Sequence, residues 1–321
     1  MSSAGCNGAG GHKPTLSVVV STYNRVRLLD LCLASLTRQD LDASQYEVIV
    51  VNNNCTDGTA ELAGRYCSRY ASFRTVIESN QGHSHCKNRG CREAHGTHVV
   101  YLDDDAYVDP PYLSNMMKVI RQHDPDILGG PVYPFYTNRK PHWFKDEYEI
   151  REYARTSGFS TTCRVSGGNF IIKKALLEKL GMHDVNLGMA GDLIRLGEEA
   201  KVLDGYRRTT PLDEQKVYYS LDVYIRHWVP KYKMKIGYVI RRGVAVGRMK
   251  GKQIGVMQGV PGRLSPLGCL RDMVRLLKEA ALGVWRKGPF GVDWIVLLRK
   301  LLVNFGIILE AVETRDRDPR P

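Results

Sequence analysis

LSVVVSTYNR, residues 16–25, and EVIVVNNNCTDGT, residues 47–59, carry the pattern from which the fold is read. Each contains an unbroken apolar run that stops in small polar residues, at Ser21 and Thr22 in the first and at Asn52 to Asn54 in the second. An apolar run without alternation fits a strand buried on both faces, as in the middle of a parallel sheet. Outward from these runs, a helix is expected from Leu28 to about Arg38, with Leu29, Cys32, Leu33 and Leu36 on one face. A second helical pattern runs from Thr59 to about Tyr70, and a short strand from Thr75 to Glu78. A helix from Ser84 to Ala94 follows, then a strand from His98 to Leu102 that runs into Asp103, Asp104 and Asp105. Four alternations of strand and helix imply an α/β fold with a mainly parallel central sheet and helices on both faces. Ligands of such sheets bind beyond the carboxyl ends of the strands, where Thr22 to Arg25, Asn52 to Asn54 and the three aspartates stand.

Beyond Pro110 and Pro111 the pattern is less regular. Val165 to Ile172 reads as a strand interrupted by Gly167 and Gly168, where missing side chains let another group approach the backbone. A helix begins at Ala175, Gly188 to Gly191 form a flexible approach, and Glu198 and Glu199 head a further short helix. There is no internal repeat at the usual solenoid or propeller periods.

Composition is that of a globular chain: 43% hydrophobic and 25% charged residues over 321 positions, which argues against a mostly disordered or many-spanning protein. Residues 1–14 are rich in Gly and Ser, lack the pattern of a secretory signal and are expected to form a loose tail. The net charge of +12 is concentrated between Arg226 and Lys300, where seventeen Lys or Arg face three acids, leaving the rest about −2. Nucleic acid and an anionic membrane surface both suit such a segment by charge alone. Eight scattered cysteines form no CxxC pair, and reduced cytoplasmic thiols are expected. Cys86 and Cys91, with His83, His85 and His95 nearby, form a weak candidate metal cluster against the simpler reading of packing or solvent-facing residues.

LDDD at residues 102–105 is the strongest chemical feature. Three adjacent carboxylates repel one another, so a structure that gathers them needs a cation or hydrogen-bond donors. Mg²⁺ or Mn²⁺ takes oxygen ligands and can also bind a diphosphate. A solvated acidic turn is the alternative, and the position at a strand end favours the metal.

Taken in order, STYNR, VVNNNCTDGT, NQGHSHCKNRG, LDDD, SGGNF and GEE resemble the family 2 glycosyltransferases and their GT-A nucleotide-binding fold, from about Leu16 to about Arg248. The resemblance implies a nucleotide-sugar-binding half at 15–110 and an acceptor-binding and catalytic half at 111–230; charge and apolar pattern, not the resemblance, mark a C-terminal basic amphipathic helical region at 231–321. It implies that Tyr23 offers an aromatic face to the nucleobase, with Thr22, Asn24 and Arg25 lining the pocket. Asn52 stands where the family usually has an aspartate that reads the base; an amide can both donate and accept, so the usual uracil preference does not transfer. Lys87 and Arg89 are implied nucleotide or diphosphate contacts, with surface solvation as the alternative for each. The DxD pattern maps onto Asp103 and Asp105, with Asp105 a metal ligand, Asp103 facing ribose or metal, and Asp104 in support. His227 matches a metal- or phosphate-binding position of some relatives. Gly167, Gly168 and Asn169 fall at the edge between donor sugar and acceptor, and Trp143 is a candidate for stacking on a sugar ring, although packing is the commoner use of a lone tryptophan.

Sugar transfer by an inverting enzyme needs a cation on the departing diphosphate and a general base opposite it. Glu199 is expected to be the base because it matches the second acidic position of the family pair, with Glu198 beside it in a supporting role. The expected activity is transfer from a nucleotide-sugar donor to a glycan or lipid-linked acceptor in cell-surface polysaccharide or glycolipid synthesis. Rival readings are a nucleotidyltransferase on a related fold and a basic nucleic-acid-binding protein; no RNA-binding signature or zinc finger supports the latter, and no nucleic acid partner is expected. The first strand–helix turn lacks GxGxxG, which disfavours a dinucleotide enzyme. In the basic third, Leu270, Met273, Val274, Leu277, Ala281 and Val284 can share a helix face, with Arg271, Arg275 and Lys278 elsewhere on it. WIVLLRKLLVNFGIILE, residues 294–310, is apolar but interrupted by Arg299 and Lys300. Both are expected to lie on an anionic membrane, placing the protein peripherally on its cytoplasmic inner face. Helices that pack on the catalytic domain or form a dimer are the alternative.

Overall fold

A computed structural model describes residues 13–189, 197–256, 266–287 and 293–317. Most of the expected tail, part of the Gly188 to Gly191 approach and the segment around Arg263 lie outside the described residues. The chain divides into two compact units, one formed by Met1–Phe135 with Glu149–Trp228, the other by Tyr136–Tyr148 with Val229–Pro321.

The first unit opens with β1 (Leu16–Thr22), α1 (Val26–Leu36), β2 (Tyr46–Asn52), α2 (Thr59–Arg69), β3 (Phe73–Ile77), α3 (His83–Glu93) and β4 (His98–Asp103). After β5 (Ala106–Tyr107) and α4 (Tyr112–His123) come β6 (Ile127–Gly129), β7 (Val132–Phe135), β8 (Gly158–Phe159), β9 (Asn169–Lys173) and α5 (Lys174–Lys179). Then follow α6 (Glu198–Thr209), β10 (Val217–Tyr219) and β11 (Ile225–Trp228). Eight strands form one sheet in the order β3-β2-β1-β4-β9-β6-β10-β8, and β5-β11-β7 form a second. β1 lies between β2 and β4 and is parallel to both, Val19 standing opposite Ile49 and Tyr101. β9 runs antiparallel to both β4 and β6, and β8 antiparallel to β10, so the sheet is mainly rather than wholly parallel.

The uninterrupted apolar runs have the predicted cause. Val18, Val20, Val48, Val50, Val100 and Leu102 project into the core on one face, with Leu29 and Leu33 of α1. Val19, Ile49, Val51, Val99 and Tyr101 project into the core on the other, with Val202 and Tyr206 of α6. Period-two alternation is therefore present in the side chains, but both sides are apolar.

The strand expected from Val165 begins only at Asn169, because the Asn169 amide donates to the Ser166 carbonyl (2.9 Å) and closes a turn over Gly167 and Gly168. Cys86 and Cys91 are buried in the second core, whereas His95 pairs with Glu47 (3.2 Å) and His83 points to acidic side chains. The cysteine–histidine cluster considered from sequence thus does not assemble.

The second unit contains α7 (Ile236–Val256), α8 (Pro266–Lys287) and α9 (Trp294–Arg317). Gly243, Gly247 and Gly251, four residues apart along α7, face Leu302, Val303, Ile307 and Glu310 of α9. A Cβ on Gly247 would overlap the Val303 carbonyl oxygen and lie 2.8 Å from Gly306 Cα, so glycine permits the backbones to meet. Asp293 accepts from Val296 N (3.1 Å) at the start of α9, and from Tyr148 Oη (2.9 Å) and Lys145 Nζ (2.6 Å). These bonds explain why residues 136–148 belong with the C-terminal helices. The apolar 294–310 stretch is thus the helix against which both α7 and α8 pack. Among the described residues no helix is long and apolar enough to cross a membrane.

Candidate active site

The site is built at the carboxyl ends of β1, β2 and β4 together with the start of α6. Loops there are fixed by short polar side chains. Asn24, at φ 51°, accepts from Thr56 N (2.7 Å), and Asp57 accepts from Val26 N (3.1 Å) and Thr59 N (3.1 Å), capping the starts of α1 and α2 together. Asn53 donates to the carbonyls of Glu78 and Asn80 (2.8 Å each) and accepts from Gly82 N (2.8 Å). Asn52, at the end of β2, is buried, and its Oδ1 accepts from Cys55 N (2.9 Å). Thr22 is buried at the end of β1, and Tyr23 directly after it is exposed.

Asp103 closes β4, and Asp104 and Asp105 turn the chain into β5. Arg25 Nη1 reaches Asp104 (3.2 Å) and Asp105 (3.0 Å), supplying part of the positive charge that the acidic run requires. Burial pushes the Asp104 carboxyl up to about 7 even though Arg25 pulls it down. From β11, His227 Nε2 lies 3.2 Å from Asp105 and 3.9 Å from Asp103. One ligand atom from each of Asp103, Asp105 and His227 falls within 4.8 Å of the others. Two carboxylate oxygens and an imidazole nitrogen could hold a divalent ion such as Mn²⁺ or Mg²⁺. Antiparallel pairing of β11 with β5, His227 opposite Ala106, brings this histidine to the aspartates.

A second charged group adjoins the first. Gly197, at φ 102° in the left-handed region, starts α6, whose first turn carries Glu198 and Glu199. Glu198 Oε1 accepts from Lys87 Nζ (3.1 Å) and lies 3.3 Å from His83 Nδ1. His83 Nε2 is in turn 3.8 Å from Asp103. Lys87 is only 1% exposed, and its Nζ also approaches the Gly167 carbonyl (3.3 Å). Burial works against its charge, but Glu198, Glu199 and Asp103 outweigh that and hold its proton more tightly than usual. Burial likewise opposes a charge on Glu198, yet Lys87 and then His83 hold this carboxyl far below the usual range. Glu199 is shifted the other way, raised by burial and then by the neighbouring Glu198 charge. Two adjacent glutamates therefore differ in proton affinity because Glu198 bonds Lys87 directly and has His83 beside it, whereas the weaker pull of Lys87 on Glu199 does not offset burial and the Glu198 charge.

Gly167 and Gly168 stand between these groups. A Cβ on Gly167 would lie 3.1 Å from the Glu199 carboxyl, and one on Gly168 would lie 2.6 Å from Asp103 Cγ and overlap its oxygen. Asn169 has a different task. Its amide is fully buried, accepting from Tyr112 Oη (2.8 Å) and donating to the Val223 carbonyl (2.8 Å), so it braces β9 internally and does not face an acceptor. Arg89 lies two residues beyond Lys87 on α3, about half a turn round the helix, in a pair with Glu93 (2.8 Å), outside the charged group. Trp143 belongs to the second unit, where it packs edge-on against Phe144 (5.5 Å). His83 joins the site although sequence patterning places it only beside cysteines. Its position at the first residue of α3, directly after Gly82, is the local feature that could reveal it.

Residues 17–181, just over half of the chain, match Glycosyl transferase family 2, and the chain belongs to that family. Its architecture is the GT-A fold: over 93% of this chain and 88% of the other, it superposes on a mannosyltransferase of Pyrobaculum calidifontis, with TM-score 0.61 and 20% identity. S. aureus TarS 1–349 gives TM-score 0.55 at 17% identity, covering 95% of this chain and 93% of that one. Among curated relatives, the uncharacterized glycosyltransferase EpsJ of Bacillus subtilis is 32% identical over 40% of this chain and 37% of its own length. The glucosyl-dolichyl phosphate glucuronosyltransferase of Haloferax volcanii is 26% identical over 73% of this chain and 76% of its own. The chain thus spans well under half the length of some relatives and three quarters of another.

Proposed function

We propose that this protein is a metal-dependent, inverting glycosyltransferase that moves a sugar from a nucleoside diphosphate to a hydroxyl of a glycan or lipid-linked acceptor, in cell-surface polysaccharide or glycolipid synthesis. The observation that carries the reading is the juxtaposition of Asp103, Asp105 and His227 with Glu199, on either side of the Gly167–Gly168 turn. The mannosyltransferase neighbour is a complex with GDP-Man and Mn²⁺, and TarS has been crystallised with UDP-GlcNAc, which supports a nucleoside diphosphate sugar as donor. The name of the Haloferax relative supports a lipid-linked acceptor.

Asp103, Asp105 and His227 would hold the Mg²⁺ or Mn²⁺, which when bound offsets the negative charge that develops on the departing diphosphate. Tyr23 and the Asn52 amide meet the nucleobase, and Arg25 steadies the aspartates. Glu199 takes the proton from the acceptor hydroxyl as that oxygen bonds to the anomeric carbon and the bond to the diphosphate breaks. Its raised proton affinity suits this task. Glu198, held ionised by Lys87 and His83, keeps the start of α6 in place and does not take the proton. The absence of side chains at Gly167 and Gly168 leaves room for the sugar between base and metal ligands. The basic third attaches the protein peripherally to the anionic cytoplasmic face of a membrane.

The test is a panel of nucleotide sugars with Mg²⁺, Mn²⁺ or chelator, offered with soluble and lipid-linked acceptors. Metal-dependent release of the nucleoside diphosphate with an inverted glycosidic product is expected. A product that carries the nucleotide itself would instead indicate nucleotidyl transfer.

A further inference from the structure

The helical region expected from sequence to contact a membrane has a more specific geometry than its composition implies. α8 packs on α9, and along α8 Cys269 is fully buried, with Met273, Leu276 and Ala280 half-buried on the same side. Met273, grouped from sequence with the outward residues, thus belongs to the inner side; the side chain of Val284 is outside the described residues. Leu267, Leu270, Val274, Leu277 and Ala281 are exposed, the four larger ones by 71%, 54%, 46% and 52%. At roughly 100° per residue these five fall within an arc of roughly 80°, so they form one continuous outer stripe. Arg271, Arg275 and Lys278 each follow a stripe residue directly and line one flank, all exposed. Asp272 and Glu279 lie beyond them, towards the side packed on α9, where both engage Arg275 (3.1 and 3.9 Å).

We propose that this outer stripe of α8 is the surface that enters the interface of an anionic lipid bilayer, with Arg271, Arg275 and Lys278 at the level of the phosphate headgroups. The proposal deepens the peripheral attachment stated above and rests on it, but not on the chemistry of the sugar site. Charge complementarity selects this occupant. An apolar row against a row of cations matches the acyl chains and phosphates of a lipid surface, side by side in the same order. A row of leucines at three- and four-residue steps would also suit a second copy of this chain, but the cations beside it would meet their own kind or have to find acids elsewhere.

Cosedimentation of the full chain with vesicles tests this. Vesicles of neutral phosphatidylcholine alone and with about one third phosphatidylglycerol are compared for the parent, for Leu270→Gln/Val274→Gln/Leu277→Gln and for Arg271→Gln/Lys278→Gln. Exposed leucines can be replaced without opening a core, and circular dichroism with donor turnover on a soluble acceptor checks that the fold persists. The parent should bind anionic vesicles, and the apolar triple variant should lose binding by tenfold or more. Each removed cation should weaken binding by about fivefold, from about 1 kcal/mol per surface charge. Undiminished vesicle binding by the triple variant overturns the proposal. So does a parent that ignores vesicles but forms a dimer which the triple variant dissociates. Stripe-dependent vesicle binding in a protein without donor turnover would support the surface while refuting the glycosyl-transfer reading.

Discussion

Glu198→Gln should destabilise the protein through Lys87 and leave the base itself in place. Lys87 is 1% exposed, and Glu198 Oε1 is 3.1 Å from its Nζ, within a site that also contains Gly167 O at 3.3 Å. Glutamine preserves the side-chain length and an oxygen that can accept the same hydrogen bond, so the change removes charge alone. Breaking a buried ion pair by removing one partner costs about 3–5 kcal/mol. Glu199 and Asp103 also act favourably on the lysine, which places the expected loss near the low end, about 3 kcal/mol. For a folded unit of this size that corresponds to a fall in Tm of about 6–12 °C. Calorimetry on Glu198→Gln, Lys87→Met and the double variant would measure it. The double variant should be less destabilised than the sum of the singles, with a coupling of about 2 kcal/mol. A Tm for Glu198→Gln within about 2 °C of the parent, or strictly additive losses, would refute the assignment of Glu198 to Lys87.

Glu199→Gln should lower kcat about a hundredfold or more with little change in donor affinity, read from initial rates and donor titration. Because burial and Glu198 raise the Glu199 carboxyl, the acid limb of the kcat/KM profile should fall above the ordinary glutamate range, activity rising with pH as the base loses its proton. Asp105→Asn should weaken metal-dependent donor binding and cut transfer severely, and near-normal turnover at limiting metal would remove Asp105 from the ligand set. Gly168→Ala has no backbone conflict but displaces the Asp103 carboxylate, so metal-dependent donor binding should weaken about tenfold or more while Tm changes little. Gly247→Ala should lower the Tm by several degrees, because its Cβ would force α7 and α9 apart at the Val303 carbonyl.

The sheet, its two apolar faces and the acidic end of β4 were legible because each depends on neighbours within a few residues. Val18 to Val20 and Val48 to Val51 encode burial on both sides in a single short run, whatever surrounds them. The same locality explains why Gly197 followed by two glutamates could be read as a helix start. Other assignments failed that test. Nothing near Asn169 distinguishes an amide facing a ligand from one bonded to Tyr112 and Val223, which are 57 and 54 residues away. α8 is apolar around nearly half its circumference, and only tertiary packing separates the buried Cys269 from the outward Leu270. The difference between Glu198 and Glu199 belongs to the same class. As adjacent residues of one type they are equivalent by local pattern, and the distinction arises because the fold delivers Lys87 from 111 residues away to one carboxyl. Hydrophobic period is a property of the chain itself, whereas proton affinity depends on distance and burial, which exist only once distant elements have packed.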